Sequence, residues 1–229
     1  MRVILILLIF LLINLLASAQ HNFGLKASGG ISKIHTSYGK SLGENGSPLN
    51  LYNKNLYTPS GQIGLFYNST LGKHSLFGSE LIFVYIKGKE IYRIPGVDAE
   101  LYRQVSYIGL PFYFGYKIQK FTMYVGFQIN LTLTSGGQEK DKTTDAFGNI
   151  VIYNTKFDKL NIDNYDYGVK SGLMFKLSDK LSIEGIYYYG LNNILAKKTF
   201  DWKWNTEQAT LGIRYNFNSI NSKKSDSEK

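Results

Sequence analysis

Cysteine is absent from this sequence, and charge is nearly absent from one long part of it. Without cysteine the chain has no disulfide framework, no thiolate metal site and no thiol nucleophile. Residues 105–134 contain only two charged side chains, Lys117 and Lys120. The water-facing surface of a soluble protein carries many more charges than that. The segment therefore does not have the composition of a soluble barrel wall.

The residues that fill this uncharged segment alternate in polarity. Within residues 121–134 every odd-numbered residue is apolar, and every even-numbered residue is small or polar and uncharged. Successive side chains of a strand point to opposite faces, so the pattern predicts a β-strand. The run is longer than the usual strand of about 5–6 residues. It is long enough for a tilted strand that crosses a bilayer, which needs about 9–11 residues.

Residues 1–19 have the features of a signal peptide. Arg2 supplies a positive charge, residues 3–16 are almost wholly apolar, and small residues precede a cleavage site between Ala19 and Gln20. The apolar run is short for a transmembrane helix, which needs roughly 20 residues. The sequence therefore predicts an exported chain with a signal peptide at 1–19, a barrel at 20–217 and a polar periplasmic tail at 218–229.

Eight segments of the exported part read as strands, and the connections between them are alternately long and short. The strands are expected at about 23–34, 61–68, 75–87, 104–118, 121–134, 164–177, 181–191 and 206–217. Outer-membrane barrels have short periplasmic turns and long external loops, and an even strand number places both termini in the periplasm. The predicted fold class is all-β: an eight-stranded antiparallel transmembrane β-barrel in a bacterial outer membrane.

Two of the predicted strands depart from simple alternation. Pro111 lies inside a strand, where it removes a ladder hydrogen bond and is expected to cause a bulge or kink. The segment 75–87 is apolar on both faces over residues 81–86, so the sequence does not assign its inward face.

Aromatic residues make up 15% of the chain and cluster at strand ends on the apolar face. Rings in these positions predict two girdles at the levels of the lipid headgroups. The predicted members are Phe121, Phe175, Tyr215 and Phe217 on the periplasmic side and Tyr165, Tyr167, Tyr187 and Tyr189 on the outer side. The alternative is a soluble lipocalin-type barrel with ordinary core aromatics, and the scarcity of charge argues against it.

The polar face of the strands predicts a filled lumen. Eight strands enclose only enough space for side chains, so no open pore for large solutes is expected. Glu184 and Arg214 lie on the polar faces of adjacent strands at one level and predict a lumenal ion pair. The predicted polar network contains Glu80, Lys117, Lys170, Lys176, Glu184 and Arg214. Charge-neutral filling is its expected role, and a proton or ion path is the alternative.

The sequence offers little chemistry for an active site. His21, His35 and His74 do not converge and lack metal-ligand spacing, so no metal, cofactor or catalytic residue is expected. His35 and Ser37 at the outer rim could act as base and nucleophile, which leaves a lipid-modifying enzyme as an alternative. The pI of about 9.4 would suit nucleic acid. The lysines form no basic stripe, however, so no nucleic-acid partner is expected.

The long external loops are the expected contact surfaces, because aromatic residues dominate protein–protein hot spots. The predicted contact residues are Phe147, Tyr153, Phe157, Trp202 and Trp204. Packing of the loops on themselves, or anchoring at the lipid interface, is the alternative.

Several motifs of the later strands are similar to those of one family. They are YIGLPF at 107–112 with Tyr116-Lys117, YVG at 124–126, Gly168-Val169, Gly172-Leu173, FKL at 175–177, residues 187–191 and LGIRYNF at 211–217. In these motifs, and over essentially the whole exported chain, the sequence resembles the PorT-like outer-membrane β-barrel proteins of the Bacteroidetes type. The polar tail after Phe217 departs from outer-membrane proteins that end near such an aromatic residue.

The resemblance implies a role in type IX protein secretion and gliding machinery. The predicted function is a non-enzymatic accessory or scaffold subunit of such an envelope complex. Its partners would be outer-membrane lipid or lipopolysaccharide and other outer-membrane or periplasmic proteins. A stand-alone adhesion or membrane-stability barrel is the remaining alternative.

Overall fold

The computed structural model describes residues 20–37, 52–71, 73–94, 97–144, 149–195 and 203–217. These residues form ten strands: β1 (Gln20–Ser37), β2 (Tyr52–Leu56), β3 (Thr58–Leu71), β4 (Ser75–Ile94), β5 (Val97–Ile118), β6 (Phe121–Thr144), β7 (Ile150–Phe157), β8 (Tyr165–Lys176), β9 (Leu181–Gly190) and β10 (Lys203–Asn216). Within the same ranges, no helix is long and apolar enough to cross a membrane. The predicted signal peptide, the polar tail, Phe147 and Trp202 lie outside the described residues.

Eight of the ten strands close into a ring. Each pairs antiparallel with the next in the order β1, β3, β4, β5, β6, β8, β9, β10, and β10 returns to β1. Closure gives the strands of the ring neighbours on both sides, which hydrocarbon requires because backbone amides find no water there. The eight predicted strands correspond one to one with the ring, and the predicted fold class is confirmed.

Short connections gather at one end of the ring, here named the turn end. The connections after β3, β5 and β8 join strands there, and β1 begins and β10 ends on the same side. The tightest connection has two residues, and Gln119 adopts a positive φ of 54° in it. The opposite end is named the hairpin end.

The strands at the hairpin end are longer than predicted. Residues 88–101 were expected to form a loop, but β4 and β5 stay paired as far as Ile94 and Val97. The expected loop 135–163 likewise contains the rest of β6 and all of β7, and β2 lies in the expected first loop. Together β2, β7 and the far parts of β4, β5 and β6 form a five-stranded hairpin-end sheet beyond the ring. The glycines and mixed charges of these segments hid the strands.

The outward face of the ring is apolar and open to its surroundings. Leu211, Val125 and Ile63 are 66%, 58% and 58% exposed. The faces of β4 are now assigned: Phe77, Leu81 and Phe83 point outward, whereas Glu80, Ile82, Val84 and Ile86 point into the lumen. A wall of this kind is stable against lipid tails and not against water.

Pro111 interrupts one of its two ladders, as expected for a proline in a strand, and a bulge lies nearby. The β4–β5 ladder lacks the pairs of Leu110 and Pro111, whereas Pro111 keeps its register with Gln128 of β6. The register shifts instead between Ser106 and Tyr107, where Leu133 of β6 is the extra residue. The insertion reverses the alternation of β6, so that Ser135 faces inward and bonds to the carbonyl oxygen of Leu160 at 3.3 Å.

An apolar layer seals the lumen at the hairpin end. The connections after β7 and after β9 fold inward, where the amide of Asp163 donates to the carbonyl of Ile194 at 2.7 Å. The buried members of this lumenal plug are Ile34, Ile82, Val84, Ile86, Val105, Tyr107, Leu160, Ile194 and Trp204. The sequence analysis predicted a lumen filled by the polar faces of the strands, and the apolar plug corrects that expectation.

Candidate functional site: a charged cluster in the lumen

Five charged side chains from five strands meet inside the ring nearer the turn end. They are Lys26 of β1, Glu80 of β4, Lys170 of β8, Glu184 of β9 and Arg214 of β10, and each is at most 5% exposed. Each occupies an inward position of its strand, so the alternation that builds the wall also directs these charges together. They are named the lumenal charge cluster.

Arg214 bridges the two carboxylates of the cluster. Its Nη1 donates to Oε1 of Glu184 at 2.8 Å, and its Nη2 lies 3.1 Å from Oε1 of Glu80. Lys26 also contacts both acids, at 2.7 Å from Oε2 of Glu184 and 3.1 Å from Oε2 of Glu80. Lys170 forms a close ion pair with Glu80. The charges therefore connect β1, β4, β8, β9 and β10 across the lumen.

Two tyrosines also form hydrogen bonds with the cluster. Tyr124 donates its hydroxyl to Oε1 of Glu184 at 2.7 Å, and the hydroxyl of Tyr113 accepts from Nη2 of Arg214 at 2.7 Å. Gly172 makes room for Tyr124, because a Cβ at this position would lie 2.2 Å from the tyrosine hydroxyl oxygen. Buried charges are stable only when paired and hydrogen-bonded. The arrangement can hold strands in register, and its direct contacts already satisfy both acids.

The structure brings together four of the six residues of the predicted network: Glu80, Lys170, Glu184 and Arg214. Lys26 was missed, although it lies directly opposite Arg214 in the β1–β10 ladder.

Lys117 and Lys176 do not belong to the cluster, which corrects the prediction for both. Each is within two residues of a turn, and Lys176 pairs with Asp179 at 2.6 Å. That hydrogen bond holds the pKa of Asp179 below its usual value. Lys176 and Lys170 are six residues apart on one strand, or about 20 Å. One layer of the lumen cannot contain both of them.

A second buried pair lies beside the plug at the hairpin end. Arg103 pairs with Glu90 at 2.5 Å, and its Nη1 donates to Oγ1 of Thr36 at 2.9 Å. The guanidinium stacks on the ring of Trp204 at 4.1 Å. Trp204 was predicted as an external contact but is only 9% exposed. The prediction was wrong because β10 begins at Lys203, which puts Trp204 on the inward face.

A family model described as "Outer membrane protein beta-barrel domain" matches residues 18–196. The chain belongs to this family. The matched part contains β1 to β9 and ends before β10 (Lys203–Asn216). Together with the apolar outer wall, this makes the protein an integral outer-membrane barrel. No curated protein is significantly similar to the sequence.

Solved structures that resemble this outer-membrane barrel do so at low identity. Neisserial surface protein A (NspA) is 14% identical with a TM-score of 0.40, and the match covers 85% of this chain and 97% of NspA. OprG from Pseudomonas aeruginosa is 12% identical with a TM-score of 0.39, at 86% and 97% coverage. Ail, the attachment invasion locus protein of Yersinia pestis, is 14% identical with a TM-score of 0.36, at 85% and 99% coverage.

The predicted girdle residues all lie on the outward face of this barrel. Phe121, Phe175, Tyr215 and Phe217 lie near the turn end, and Tyr165, Tyr167, Tyr187 and Tyr189 lie nearer the hairpin end. The rings of Phe121 and Phe175 are 4.8 Å apart, and those of Tyr165 and Tyr167 are 6.4 Å apart. Two levels of outward rings match the two headgroup layers of a bilayer.

The structure does not assemble a catalytic set from the histidines. The side chain of His21 bonds to the hydroxyl of Tyr67, and that of His74 bonds to the carbonyl of Lys117. His35 and Ser37 are both exposed on the outward face, and no hydrogen bond of the described residues joins them. Among the described residues, no group of three histidine, aspartate or glutamate side chains could hold a metal ion.

Proposed function

We propose that the protein is a non-enzymatic accessory or scaffold subunit of an envelope complex, and that the edge of β7 is its docking surface. The observation behind the proposal is that β7 has a paired neighbour on one side and none on the other. Among the described residues β7 pairs only with β6, so its other side offers unpaired backbone groups. An exposed apolar edge strand is a template for a strand from another chain.

The composition of β7 favours strand addition. Natural proteins protect an edge strand with charged side chains and prolines. The sequence of β7, IVIYNTKF, has only one charge and no proline. Ile150, Ile152 and Tyr153 are 61%, 62% and 57% exposed outside the apolar band of the ring. Eight residues span about 27 Å, which is enough for a ladder of several hydrogen bonds. Phe157, another predicted contact, is half-buried on the same strand.

The other edge of the hairpin-end sheet is covered by its own chain. Asn53 and Asn55 of β2 donate to the carbonyl oxygen of Thr36 of β1, each at 3.2 Å. The amide of Thr36 donates back to Oδ1 of Asn55 at 3.2 Å. The contrast between the covered edge of β2 and the open edge of β7 supports β7 as the side that receives a partner.

A sealed lumen supports a role that is carried out on the outside of the barrel. The plug closes the hairpin end, and the charge cluster fills the layer below it. In this proposal the turn end faces the periplasm, with both ends of the barrel wall, because short connections are periplasmic in this class. The hairpin end then faces the exterior, among the lipopolysaccharide headgroups.

The type IX secretion and gliding machinery is the most specific candidate for the complex. The resemblance of the strand motifs to PorT-like proteins supports it. The partner at β7 would be another outer-membrane or exported protein that presents an extended segment with alternating apolar side chains.

Affinity purification from gently solubilised outer membranes tests the proposal. The unchanged protein should recover a companion at a fixed ratio, and Ile152→Lys should lose it, because a charge on an edge strand blocks strand addition. Asn161→Lys is the matched control, since it adds the same charge at an exposed position outside β7. Heat-modifiable mobility on a gel checks that each variant folds. A lone barrel, or a companion that Ile152→Lys retains, would overturn the proposal.

A further inference from the structure

The turn end of the lumen opens into a cavity whose wall is cationic. The cavity has a volume of about 110 Å³. Its wall contains four cations, Lys117, Lys120, Lys176 and Arg214, and one acid, Asp179. Asp179 is already paired with Lys176 at 2.6 Å. Lys117 and Lys120 make no ion pair with any described residue.

This cavity, here named the vestibule, shares one residue with the lumenal charge cluster. Arg214 reaches both places, since it lines the cavity and pairs with Glu80 and Glu184. Its guanidinium is 1% exposed, and its Nε has no hydrogen-bond partner among the described atoms. One donor of this deeply buried arginine, which also lines the cavity, therefore has no partner among the described atoms.

The five residues of the cluster leave one positive charge unpaired. Lys26, Lys170 and Arg214 face only two carboxylates, so the formal net charge of the five is +1. The next buried acid of the lumen, Asp166, is four residues from Lys170 on β8, or about 14 Å, and lies on the side away from the turn end. Excess charge in a low-dielectric interior is costly unless a counter-charge lies close by. The adjoining cavity contains further cations in place of the missing acid. A lumen with low-dielectric walls focuses this field at its mouth and concentrates anions there.

We infer that the vestibule at the turn end is a binding site for a small oxyanion of the phosphate class. Lys117 and Lys120 provide the free cations at its rim, and Arg214 provides positive charge at its floor. Asn22 and Asn68 line the same space, and their side-chain amides add neutral donors. The site is separate from the proposed docking edge of β7, so each can fail without the other.

The test is a calorimetric titration of the full protein in a non-ionic detergent with inorganic phosphate at low ionic strength, where screening is weak. Saturable binding at one site per chain is expected. The double variant Lys117→Gln/Lys120→Gln should weaken it about tenfold or more, because two unpaired cations are removed. Lys180→Gln is the matched control, since Lys180 lies exposed in a turn of the same end and does not line the cavity.

A second arm separates the two sources of phosphate. Micelles of a short-chain phosphatidylglycerol are titrated in place of the free ion, and inorganic phosphate is then added as a competitor. Displacement of the lipid by phosphate supports one oxyanion site that accepts either source. Three results would each overturn the inference: no saturable phosphate binding, equal weakening by Lys180→Gln, or lipid binding that phosphate does not displace.

Discussion

The two halves of the lumen solve the same problem with opposite chemistry. At the turn end, five ionised side chains fill the space and pair with one another across the strands. At the hairpin end, aliphatic residues of β1, β4 and β5 pack against two inward-folded connections. A charged side chain at the turn end stabilises the barrel by pairing with charges on other strands. An isoleucine at the hairpin end stabilises it by filling space in the plug. One barrel can therefore be filled by ion pairing in one half and by apolar packing in the other.

The largest effect is expected from breaking the charge cluster. Glu80→Gln leaves three buried cations facing one carboxylate and should lower the free energy of unfolding by about 3–5 kcal/mol. Denaturant unfolding in lipid vesicles, followed by gel mobility, measures the loss.

Removing one cation with the acid provides the control. Glu80→Gln combined with Lys170→Met restores the net charge of the cluster to +1 and should recover much of the loss. A loss below about 1 kcal/mol for Glu80→Gln alone would show that the cluster does not stabilise the barrel.

The next effect is expected in the plug. Ile86 is fully buried, and Ile86→Ala should lower the free energy of unfolding by about 2–3 kcal/mol, since it leaves a cavity that the packed lumen cannot refill. Leu131→Ala on the outward face is the control, because lipid tails can fill the space that it leaves. The same unfolding assay should show a smaller loss for Leu131→Ala.

Combining the two changes shows how independent the halves are. Glu80 and Ile86 are six residues apart on β4, about 20 Å, so their effects should add within about 0.5 kcal/mol. A larger coupling would mean that pairing and packing are not separate devices.

A smaller effect is expected for an ion pair at the rim. Glu207 pairs with Lys33 at 3.0 Å on the outward face, where both side chains are partly exposed. Glu207→Gln should cost less than about 1 kcal/mol, because the pair lies at the rim and a glutamine oxygen can still accept from Tyr57 and Tyr187. A loss as large as that of Glu80→Gln would erase the distinction between the lumen and the rim.

The smallest effect concerns a carboxyl of the hairpin-end sheet. Tyr102 donates to Glu100 at 2.7 Å and Lys89 lies 2.9 Å from it, and these contacts lower the pKa of Glu100. A carboxyl whose pKa is lowered by folding adds stability above its unfolded pKa, and that stability is lost as pH falls through the folded pKa. Tyr102→Phe should therefore raise the pKa of Glu100 in an NMR titration. Tyr153→Phe is the control and should leave it unchanged, because Tyr153 lies two strands away on the opposite face of the sheet.

The sequence predicted the ring well because alternation is a local signal that the lipid-facing wall enforces at every second residue. It missed β2 and β7, whose residues lie among turn formers and mixed charges and whose pairing depends on β4 and β6. The plug was also hidden. Ile82, Val84 and Ile86 make β4 apolar on both faces. The alternation pattern shows this, but it does not show that the inward face packs against the connections of the plug.

The candidate site was predicted in part for a related reason. Alternation indicates which side chains point into the lumen. The distance of each residue from the end of the barrel decides which of these side chains meet. The ion pair of Glu184 and Arg214 was predicted correctly. The two residues are not level, however, because the β9–β10 ladder offsets them by two positions, and the long arginine side chain spans the offset. Lys176 lies next to a turn, too far along its strand to reach the charge cluster. Lys26 lies opposite Arg214 in the β1–β10 ladder and could have been predicted as a member of the cluster from that pairing. Extending the alternation of β10 back by two residues would have placed Trp204 in the lumen.

The proposed role at the edge of β7 assumes that the lumen is closed to the passage of solutes. Conductance of the purified barrel in a planar bilayer tests this most directly. The account predicts no steady conductance steps above background, because the plug and the charge cluster leave no continuous path. Reproducible single-channel steps from the correctly folded protein would contradict it.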